Sequence, residues 1–311
     1  MNFRNNFIFI LSLVVFLILF GGCIKDDYAD CTQGIRVTFY SRTPCQAEAT
    51  YPEQIKDISL FVFDKDEVLV SYKQLNVAKL QSNFSQVIET ESGMHSVVAW
   101  AGLTPELYDI VNSEVGVTQK QTLLFRLKRI AQIGLSIDNT RVYCGESASV
   151  YVADAEDEGS VYQDVPINMQ EVTNRLDVTV EGLPNVQDYE VTIESNNGAM
   201  NVDGSLAKDD LITHTSTLTD ESGVLRARFT LLKLAVGYNH TIVIRDKLHD
   251  KELYRASLLG TLLLKNPSVN LDCDHDFLIQ FTTKDQCDCG TYTIMEIWVN
   301  NWLVHSYETE M

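Results

Sequence analysis

Basic residues are scarce in this sequence. Its 311 residues include 24 Lys and Arg against 43 Asp and Glu, which gives a formal net charge of −19 at pH 7. The acidic residues are spread along the chain, and no basic stripe is present that could follow a phosphate backbone. We therefore exclude nucleic acids and other polyanions as partners. The 45% apolar and 22% charged residues are typical of a folded protein.

The sequence also lacks an apolar run long enough to cross a membrane as a helix. The run from Phe7 to Phe20 has about 14 residues and covers about 21 Å, against roughly 30 Å of hydrocarbon. Arg4 precedes this run, and Gly21-Gly22-Cys23 follows it. A positive residue, an apolar stretch and two small residues before a cysteine are typical of a secretory signal that ends in a lipobox. We predict that residues 1–22 are removed and that Cys23 carries the lipid.

The residues after this cysteine form a second candidate signal. Lys25, Asp26 and Asp27 resemble the Lys-Asp-Asp export signal that carries Bacteroidetes lipoproteins to the outer face of the outer membrane. A receptor reads such a signal, so it is an address and not an anchor. The alternative is a solvated, charged tether. We predict a surface-exposed lipoprotein of the outer membrane.

Catalytic motifs are missing as well. The sequence has no Gly-x-Ser-x-Gly elbow, His-Glu-x-x-His helix, phosphate loop or calcium loop. Cys273-Asp274-His275-Asp276 and Cys287-Asp288-Cys289 contain zinc-ligand types. Structural zinc sites usually pair cysteines two to four residues apart, so we favour disulfides or free thiols here. We predict no enzymatic activity, no cofactor and no metal site.

Alternation of apolar and polar residues is the dominant pattern that is present. Side chains of a strand point alternately to opposite faces, so a period of two indicates strands with one buried face. Other segments are apolar at successive positions, as expected for strands deeper in a sheet. Turn residues at Asn196-Asn197-Gly198 and Asp203-Gly204 separate them. The alternating segments are 35–40, 175–180, 189–193 and 225–229, and the continuous ones are 58–63, 96–101 and 277–281.

Helical patterns are rare. Thr104 can cap and Pro105 can start a short helix in which Leu107, Ile110 and Val111 share a face. Many short strands and little helix predict an all-β fold. The 289 residues that remain after signal removal exceed what one β-sandwich needs, so we predict two tandem sandwiches.

The acidic stretch from Asp154 to Ser160 is the best candidate for a boundary between them. It has no apolar pattern and ends in Gly159-Ser160. We therefore predict a lipidated tether at 23–33, an N-terminal sandwich at 34–160 and a C-terminal sandwich at 161–311.

Six cysteines remain once the lipidated one is set aside, in a compartment that permits disulfides. Six cysteines allow 15 connectivities, and the sequence does not choose among them. Each half of the chain holds three, so either one bridge joins the halves or one thiol in each half stays free. The six are Cys31, Cys45, Cys144, Cys273, Cys287 and Cys289.

Several of these segments together resemble a known family. A lipobox with an Asp-rich tether leads through Asp30-Cys31 into a first strand, and 55–64 reads Ile-Lys-Asp-Ile-Ser-Leu-Phe-Val-Phe-Asp. Residues 174–183 and the ending 297–302 (Ile-Trp-Val-Asn-Asn-Trp) continue the likeness. The chain resembles the FimB-type fimbrial anchor lipoproteins of Bacteroidetes over nearly all of its mature length. The shared motifs are strand patterns joined to a lipidation signal, without a catalytic signature.

The resemblance implies two transthyretin-like β-sandwiches at the base of a fimbria, bound to a shaft subunit by β-strand pairing. Related shaft subunits lose their first strand to an arginine-directed protease. A cut at Arg36 or Arg42 in this chain would release the lipid, unless a disulfide held the fragment. We therefore expect a bridge from Cys31 to Cys45 or Cys144. We also expect a terminal subunit that lacks a long donor extension, because the segment from Trp302 to Tyr307 alternates poorly.

The implied function is attachment of a fimbria to the cell surface and limitation of its length. The alternative is a surface lipoprotein that captures glycan for nutrient uptake. A glycan binder would show exposed aromatic residues on one face, whereas we expect the three tryptophans, Trp100, Trp298 and Trp302, at core or edge positions. An anchor would be encoded beside other two-sandwich subunits, and a glycan binder beside a porin-type transporter.

Overall fold

The computed structural model describes residues 31–138, 140–285 and 292–307. Several predicted site residues lie outside these ranges, namely Cys23, Lys25, Asp26, Asp27, Cys287 and Cys289. None of the helices in the described ranges has the length and apolar character needed to span a bilayer.

The described chain consists mainly of strands, which confirms the all-β prediction. In chain order they are β1 (Gln33–Tyr40), β2 (Asp57–Asp64), β3 (Leu69–Asn76), β4 (Ser85–Glu89), β5 (Gly93–Ala101), β6 (Tyr108–Val111), β7 (Leu124–Leu127), β8 (Arg129–Ile130), β9 (Ile133–Gly134), β10 (Tyr143–Glu146), β11 (Val150–Val152) and β12 (Val161–Asn168). They continue with β13 (Gln170–Glu171), β14 (Thr173–Glu181), β15 (Tyr189–Ser195), β16 (Ala199–Asn201), β17 (Ile212–Thr215), β18 (Leu218–Asp220), β19 (Leu225–Leu232), β20 (His240–Asp246), β21 (Lys251–Ser257), β22 (Asp276–Asp285), β23 (Tyr292–Val299) and β24 (Trp302–Ser306). Each predicted strand lies within one of these elements.

The helical elements are short. They are α1 (Ala155–Glu158), the 3-10 turns Lys120–Thr122, Val186–Asp188 and Leu263–Lys265, and the π-helical turn Leu258–Leu262. The helix predicted from Thr104 is wrong. The N–H groups of Leu107 and Tyr108 bond to the Thr104 carbonyl, which closes one turn, and the chain then enters β6. Tyr108 is buried, and its pairing with Leu127 of β7 overrides the helical pattern.

The first sandwich packs a three-stranded sheet, β12-β1-β4, against a sheet with the order β13-β10-β5-β2-β3. The alternation in β1 has its predicted effect, because Ile35, Val37 and Phe39 point into the core. β12 runs parallel to β1 along its whole length and contributes Val165 and Ile167 to the same core. The first sandwich therefore continues past residue 160, where the sequence predicted its end.

The acidic stretch belongs to this sandwich and does not link two domains. The Asp154 carboxylate accepts from the Glu156 N–H and caps α1, and Ala155 is buried. The Ala155 N–H donates to the Gln33 side chain at the start of β1. Because Asp154 caps the helical turn and Ala155 is buried, this acidic stretch is a packed turn and not the linker that the sequence predicted.

The second sandwich packs the sheet β18-β19-β14-β22-β23-β24 against the sheet β21-β20-β15-β17-β9-β8. Its core is built from alternate residues of the long strands, among them Leu176, Val178 and Val180 of β14 and Phe229 of β19. The strands β8 and β9 come from the N-terminal half of the chain, so the second sandwich contains strands from both halves.

The junction between the sandwiches is a third region of packed structure. A small sheet, β16-β7-β6, joins strands from both halves of the chain. Beneath it lies a separate apolar cluster that includes Phe61, Trp100 and Phe125 from the first half and Met200 and Ile212 from the second. Only Val172 separates β13 from β14, so the chain passes from one sandwich to the other without a flexible linker.

Candidate functional site

A serine and a histidine meet inside the second sandwich, but their hydrogen bonds rule out a nucleophile. Ser195 Oγ lies 2.7 Å from His240 Nδ1 and 3.0 Å from the carbonyl oxygen of Asn239. The Ala235 N–H donates to His240 Nε2, so that nitrogen is the acceptor and Nδ1 donates to Ser195. The serine proton therefore goes to a main-chain carbonyl, and the imidazole has no free lone pair to act as a base. Both residues are buried.

Burial also sets the protonation state of two histidines in the second sandwich, His214 and His240. Burial lowers the pKa of His240 to about 4. Burial, with the neighbouring His240, lowers the pKa of His214 to about 4, and His214 Nε2 has no hydrogen-bond partner. Both rings are thus neutral at physiological pH. In the described ranges, no three His, Cys, Asp or Glu side chains form a group that could hold a metal.

The N-terminal end of the described chain is locked into the first sandwich. β1 pairs with β12 on one side and with β4 on the other. At Gly34 the two backbones come so close that a Cβ would lie 2.1 Å from the carbonyl oxygen of Ile88. Only glycine permits this approach. The strand that follows the predicted tether is therefore held by main-chain pairing and by its buried side chains.

The cysteine staple predicted for this end is wrong. Cys45 forms a disulfide with Cys273, and Cys31 and Cys144 are free thiols. Cys31 lies before β1 and Cys45 beyond its other end, and eight residues of strand between them span about 26 Å. A disulfide needs Cα atoms within about 7 Å. Cys144 is buried at the junction, where burial raises the pKa of its thiol.

Arg36 and Arg42, the two arginines near the first strand, both form hydrogen bonds with residues of β12. Arg36 Nη1 lies 3.0 Å from Asp164 Oδ1 on the neighbouring β12. The side chain of Asn168 binds both main-chain groups of Arg42: its Oδ1 accepts from the Arg42 N–H (2.8 Å), and its Nδ2 donates to the Arg42 carbonyl (2.9 Å). This clamp holds the peptide that follows β1 in place.

The disulfide joins the two sandwiches. Cys45 lies in the loop after β1 and Cys273 in the loop before β22, with a Cα–Cα distance of 6.0 Å. Of the two alternatives left open by the cysteine count, the structure has the bridge between the halves. Beside it, Glu171 binds both Arg141 and Arg175, and Arg175 also binds Asp276. The junction is therefore held by a covalent bond and by an ion-pair network.

A groove of about 800 Å³ lies on the outer face of β14, β19 and β22. Three arginines line it, but each one is paired. Arg226 binds Asp177 and Glu221, and Arg228 lies 3.3 Å from Glu221. Arg175 binds Asp276 at the far end. The groove thus offers balanced charge and no unpaired cation among its described residues.

Sheet edges differ in how they are protected. An exposed edge offers unpaired N–H and C=O groups, and proteins block such edges with charge or proline. β3 carries Lys73, whose ammonium donates to the Val87 carbonyl of the neighbouring edge strand β4. β12 carries Pro166. On β21, Arg255 binds Glu252 and Glu194.

The edge at β24 has neither charge nor proline, and its pairing with β23 contains one register shift, between Ile297 and Trp298. β24 pairs with β23 through a two-residue turn in which Asn300 and Asn301 have φ of 48° and 63°. Two left-handed residues in succession are typical of a type I′ hairpin turn, and asparagine tolerates that conformation. The strand reads Trp-Leu-Val-His-Ser, without a carboxylate, lysine or arginine. Trp302 and Leu303 are 49% and 41% exposed.

Comparison with known proteins identifies the family. The family model "Fimbrillin-A associated anchor proteins Mfa1 and Mfa2" matches residues 28–308. The chain belongs to this family. The minor fimbrium anchoring subunit Mfa2 of Porphyromonas gingivalis is 33% identical over 314 residues, which cover 97% of this chain and 96% of that protein. The major fimbrium anchoring subunit FimB of the same species is 26% identical over 122 residues, 38% of this chain and 39% of FimB.

A solved structure supports the same assignment. The fimbrial anchor protein Mfa2 from Porphyromonas gingivalis superposes with a TM-score of 0.81 at 32% identity, covering 89% of this chain and 100% of that chain. The resemblance to FimB-type anchors is therefore confirmed. Within this anchor family fold, Trp100 is a core residue and Trp302 lies on an edge strand, as expected. Trp298 is instead half-buried on β23, which lies between β22 and β24.

The structure brings together only some of the predicted site residues. Cys45 and Cys273 meet, and Cys31 and Cys144 remain apart. The Asn168 clamp left no local signal in the sequence, because the side chain lies 126 positions from its target. The signal for the β24 hairpin was Asn300-Asn301, because asparagine tolerates the left-handed conformation that a tight turn requires.

Proposed function

We propose that this chain is the anchoring subunit of a fimbria and has no catalytic role. It is held in the outer membrane by a lipid on Cys23 and exposed on the cell surface. The observation that carries the proposal is the full-length match to the anchor family, including 33% identity to an anchoring subunit over 97% of this chain. The locked β1 strand supports it, because a lipid-anchored subunit must keep the strand that joins it to its lipid.

The membrane end of the proposal rests on the sequence at residues 4–27. Cys23 is the acylated residue, and Lys25, Asp26 and Asp27 are the export address. The test is Cys23→Ser in the full chain, with metabolic labelling by a clickable palmitate and fractionation of the cells. We expect loss of the label and loss of the protein from outer membranes. A variant that still partitions wholly with outer membranes would contradict lipid anchoring.

The export address has its own test. Replacement of Lys25, Asp26 and Asp27 by alanine leaves the lipobox intact. We expect the variant to stay in the membrane fraction and to become inaccessible to antibody on intact cells. Undiminished surface labelling would show that these three residues are only a tether.

At the other end, we propose that the chain binds a fimbrial shaft subunit by β-strand pairing and limits fimbrial length. Main-chain hydrogen bonds give such a contact its affinity, and alternating side chains give it its register. Deletion of the gene tests both claims. We expect long fimbriae, shed into the medium, by electron microscopy and immunoblotting. Fimbriae of normal length that stay on the cells would overturn the proposal.

A further inference from the structure

We propose that the outer edge of β24 (Trp302–Ser306) is where the anchor receives an extended strand from the fimbrial shaft subunit. This inference rests on the proposed function and names its contact surface. Within the described ranges, β24 is the last strand of its sheet and pairs only with β23. A sheet that ends in an uncovered strand can be extended by one more strand.

The main chain of β24 directs hydrogen-bonding groups away from β23, where a further strand could pair with them. The Tyr307 N–H donates to the Met295 carbonyl at 2.7 Å, so it points toward β23. Successive residues of a strand direct their N–H groups to opposite sides, so the Ser306 N–H points away from β23. An incoming strand would lie about 4.8 Å beyond β24 and use these outward groups.

Trp302 and Leu303 give this edge exposed apolar side chains. Trp302 pairs with Val299, whose side chain lies in the core, and Leu303 pairs with Trp298. Neighbours in a pair share a face of the sheet. Trp302 therefore lies at the rim of the core and Leu303 on the opposite face. An added strand would cover Trp302 with the residues of its core-facing side and Leu303 with the residues that point the other way. Tyr307, 47% exposed, continues the patch.

The lack of charge and proline distinguishes this edge from those of β3, β12 and β21. The chain carries a net charge of −19, yet residues 302–307 contain no Asp, Glu, Lys or Arg. Lys73 on β3, Pro166 on β12 and the Arg255–Glu252 pair on β21 each obstruct strand addition. The occupant is therefore a strand: a helix or a membrane surface would leave the outward main-chain groups of β24 unpaired.

The position of β24 also suits a shaft contact. It belongs to the second sandwich, whereas Cys31, within the predicted tether, precedes β1 of the first. A strand added there would leave the lipidated end of the first sandwich free to face the membrane.

Two variants of the full chain test the inference in cells, each obstructing the edge in a different way. Leu303→Lys places a charge on it, and Ser306→Pro removes an outward N–H. Leu248→Lys, at an exposed turn residue, is the matched control for the first. The readout is the ratio of fimbriae in the medium to fimbriae on cells, with the surface amount of each variant measured by antibody.

We expect both edge variants to reach the surface and to raise the shed fraction at least tenfold, and the control to behave as wild type. Normal retention with either edge variant at normal surface level would overturn the inference. If the gene deletion sheds fimbriae and the edge variants do not, the edge is wrong and the anchor role stands. If the deletion itself does not shed fimbriae, the proposed function fails.

Photo-crosslinking covers the case in which an edge variant does not fold. A benzophenone amino acid replaces Leu303 in one strain and Lys73, on the edge of β3, in another. We expect the first to crosslink to the shaft subunit, identified by mass spectrometry, and the second not to. A crosslink from Leu303 to a second copy of this chain, or equal crosslinking from both positions, would overturn the inference.

Discussion

The indole N–H of Trp100, in the first sandwich, donates a 2.7 Å hydrogen bond to the carbonyl oxygen of Val202, in the second half of the chain. The Cys144 thiol approaches the same oxygen at 3.6 Å. This contact is buried in the apolar cluster at the junction, where a carbonyl without a partner would be costly. Any load between a shaft subunit on the second sandwich and a lipid on the first would pass through this region.

We predict that Trp100→Phe lowers the free energy of unfolding by about 2–3 kcal/mol. The substitution removes the hydrogen bond to Val202 and leaves a small cavity beside Phe125, whose ring centroid lies 4.4 Å from that of Trp100. Urea denaturation followed by circular dichroism measures the change. The control is Trp302→Phe at the exposed edge, for which we expect a change within about 0.5 kcal/mol. Equal effects at the two positions would contradict this account of the junction.

The disulfide gives a second prediction. Cys45 and Cys273 are 228 positions apart, so the bridge closes a very long loop. In the chain-entropy model such a loop contributes about 5 kcal/mol, and measured values often fall below the model. We expect Cys45→Ser/Cys273→Ser to lose about 3–5 kcal/mol in chemical denaturation. Cys31→Ser, at a free thiol, should leave stability unchanged, and a similar loss there would argue for a different pairing.

Stability should fall as the pH drops from about 6.5 to 4. Burial lowers the pKa of His214 and His240 to about 4 in the folded protein, against 6.5 for an exposed histidine. In this window these two histidines bind up to two more protons in the unfolded chain than in the folded one. Their contribution to the free energy of unfolding therefore decreases, with a slope that approaches about 2.7 kcal/mol per pH unit. Both contributions are fully present above pH 6.5.

Urea midpoints at a series of pH values measure that slope. His240→Asn removes one of the two buried groups, so we expect the slope between pH 6.5 and 4 to fall by about half, whatever its effect on stability at pH 7. An unchanged slope would show that these histidines are not responsible.

The Asn168 clamp predicts how the first strand resists proteolysis. Two hydrogen bonds hold the main chain of Arg42. Their loss in Asn168→Ala should make local opening easier by about 1–2 kcal/mol, so trypsin should cut after Arg42 roughly tenfold faster. Asn168→Asp keeps an acceptor for the Arg42 N–H, so we expect its cleavage rate to lie between those of the wild type and of Asn168→Ala. Mass spectrometry of timed digests locates the cut, and wild-type rates in Asn168→Ala would exclude a protective role.

Local sequence is enough to predict most of the strands, because period-two alternation reports directly on which side chains face a core. The segments at 35–40, 175–180 and 225–229 are strands in the structure, and the turn at Asp203-Gly204 forms with Gly204 at φ +83°. The lipobox is also a purely local signal. The expected helix after Thr104 shows the limit of this approach, because pairing with β7 decided that segment.

Contacts between distant residues were beyond the reach of the sequence. Because each half of the chain holds three cysteines, the sequence left open a bridge between the halves. Only the fold places Cys45 beside Cys273 and keeps Cys31 away at the other end of β1. The parallel pairing of β12 with β1 moves the end of the first sandwich past residue 160. Composition and alternation determined that this chain is a β-protein. The tertiary structure alone decided which strand remains an open edge, because an edge is defined by neighbours that the chain brings together only when it folds.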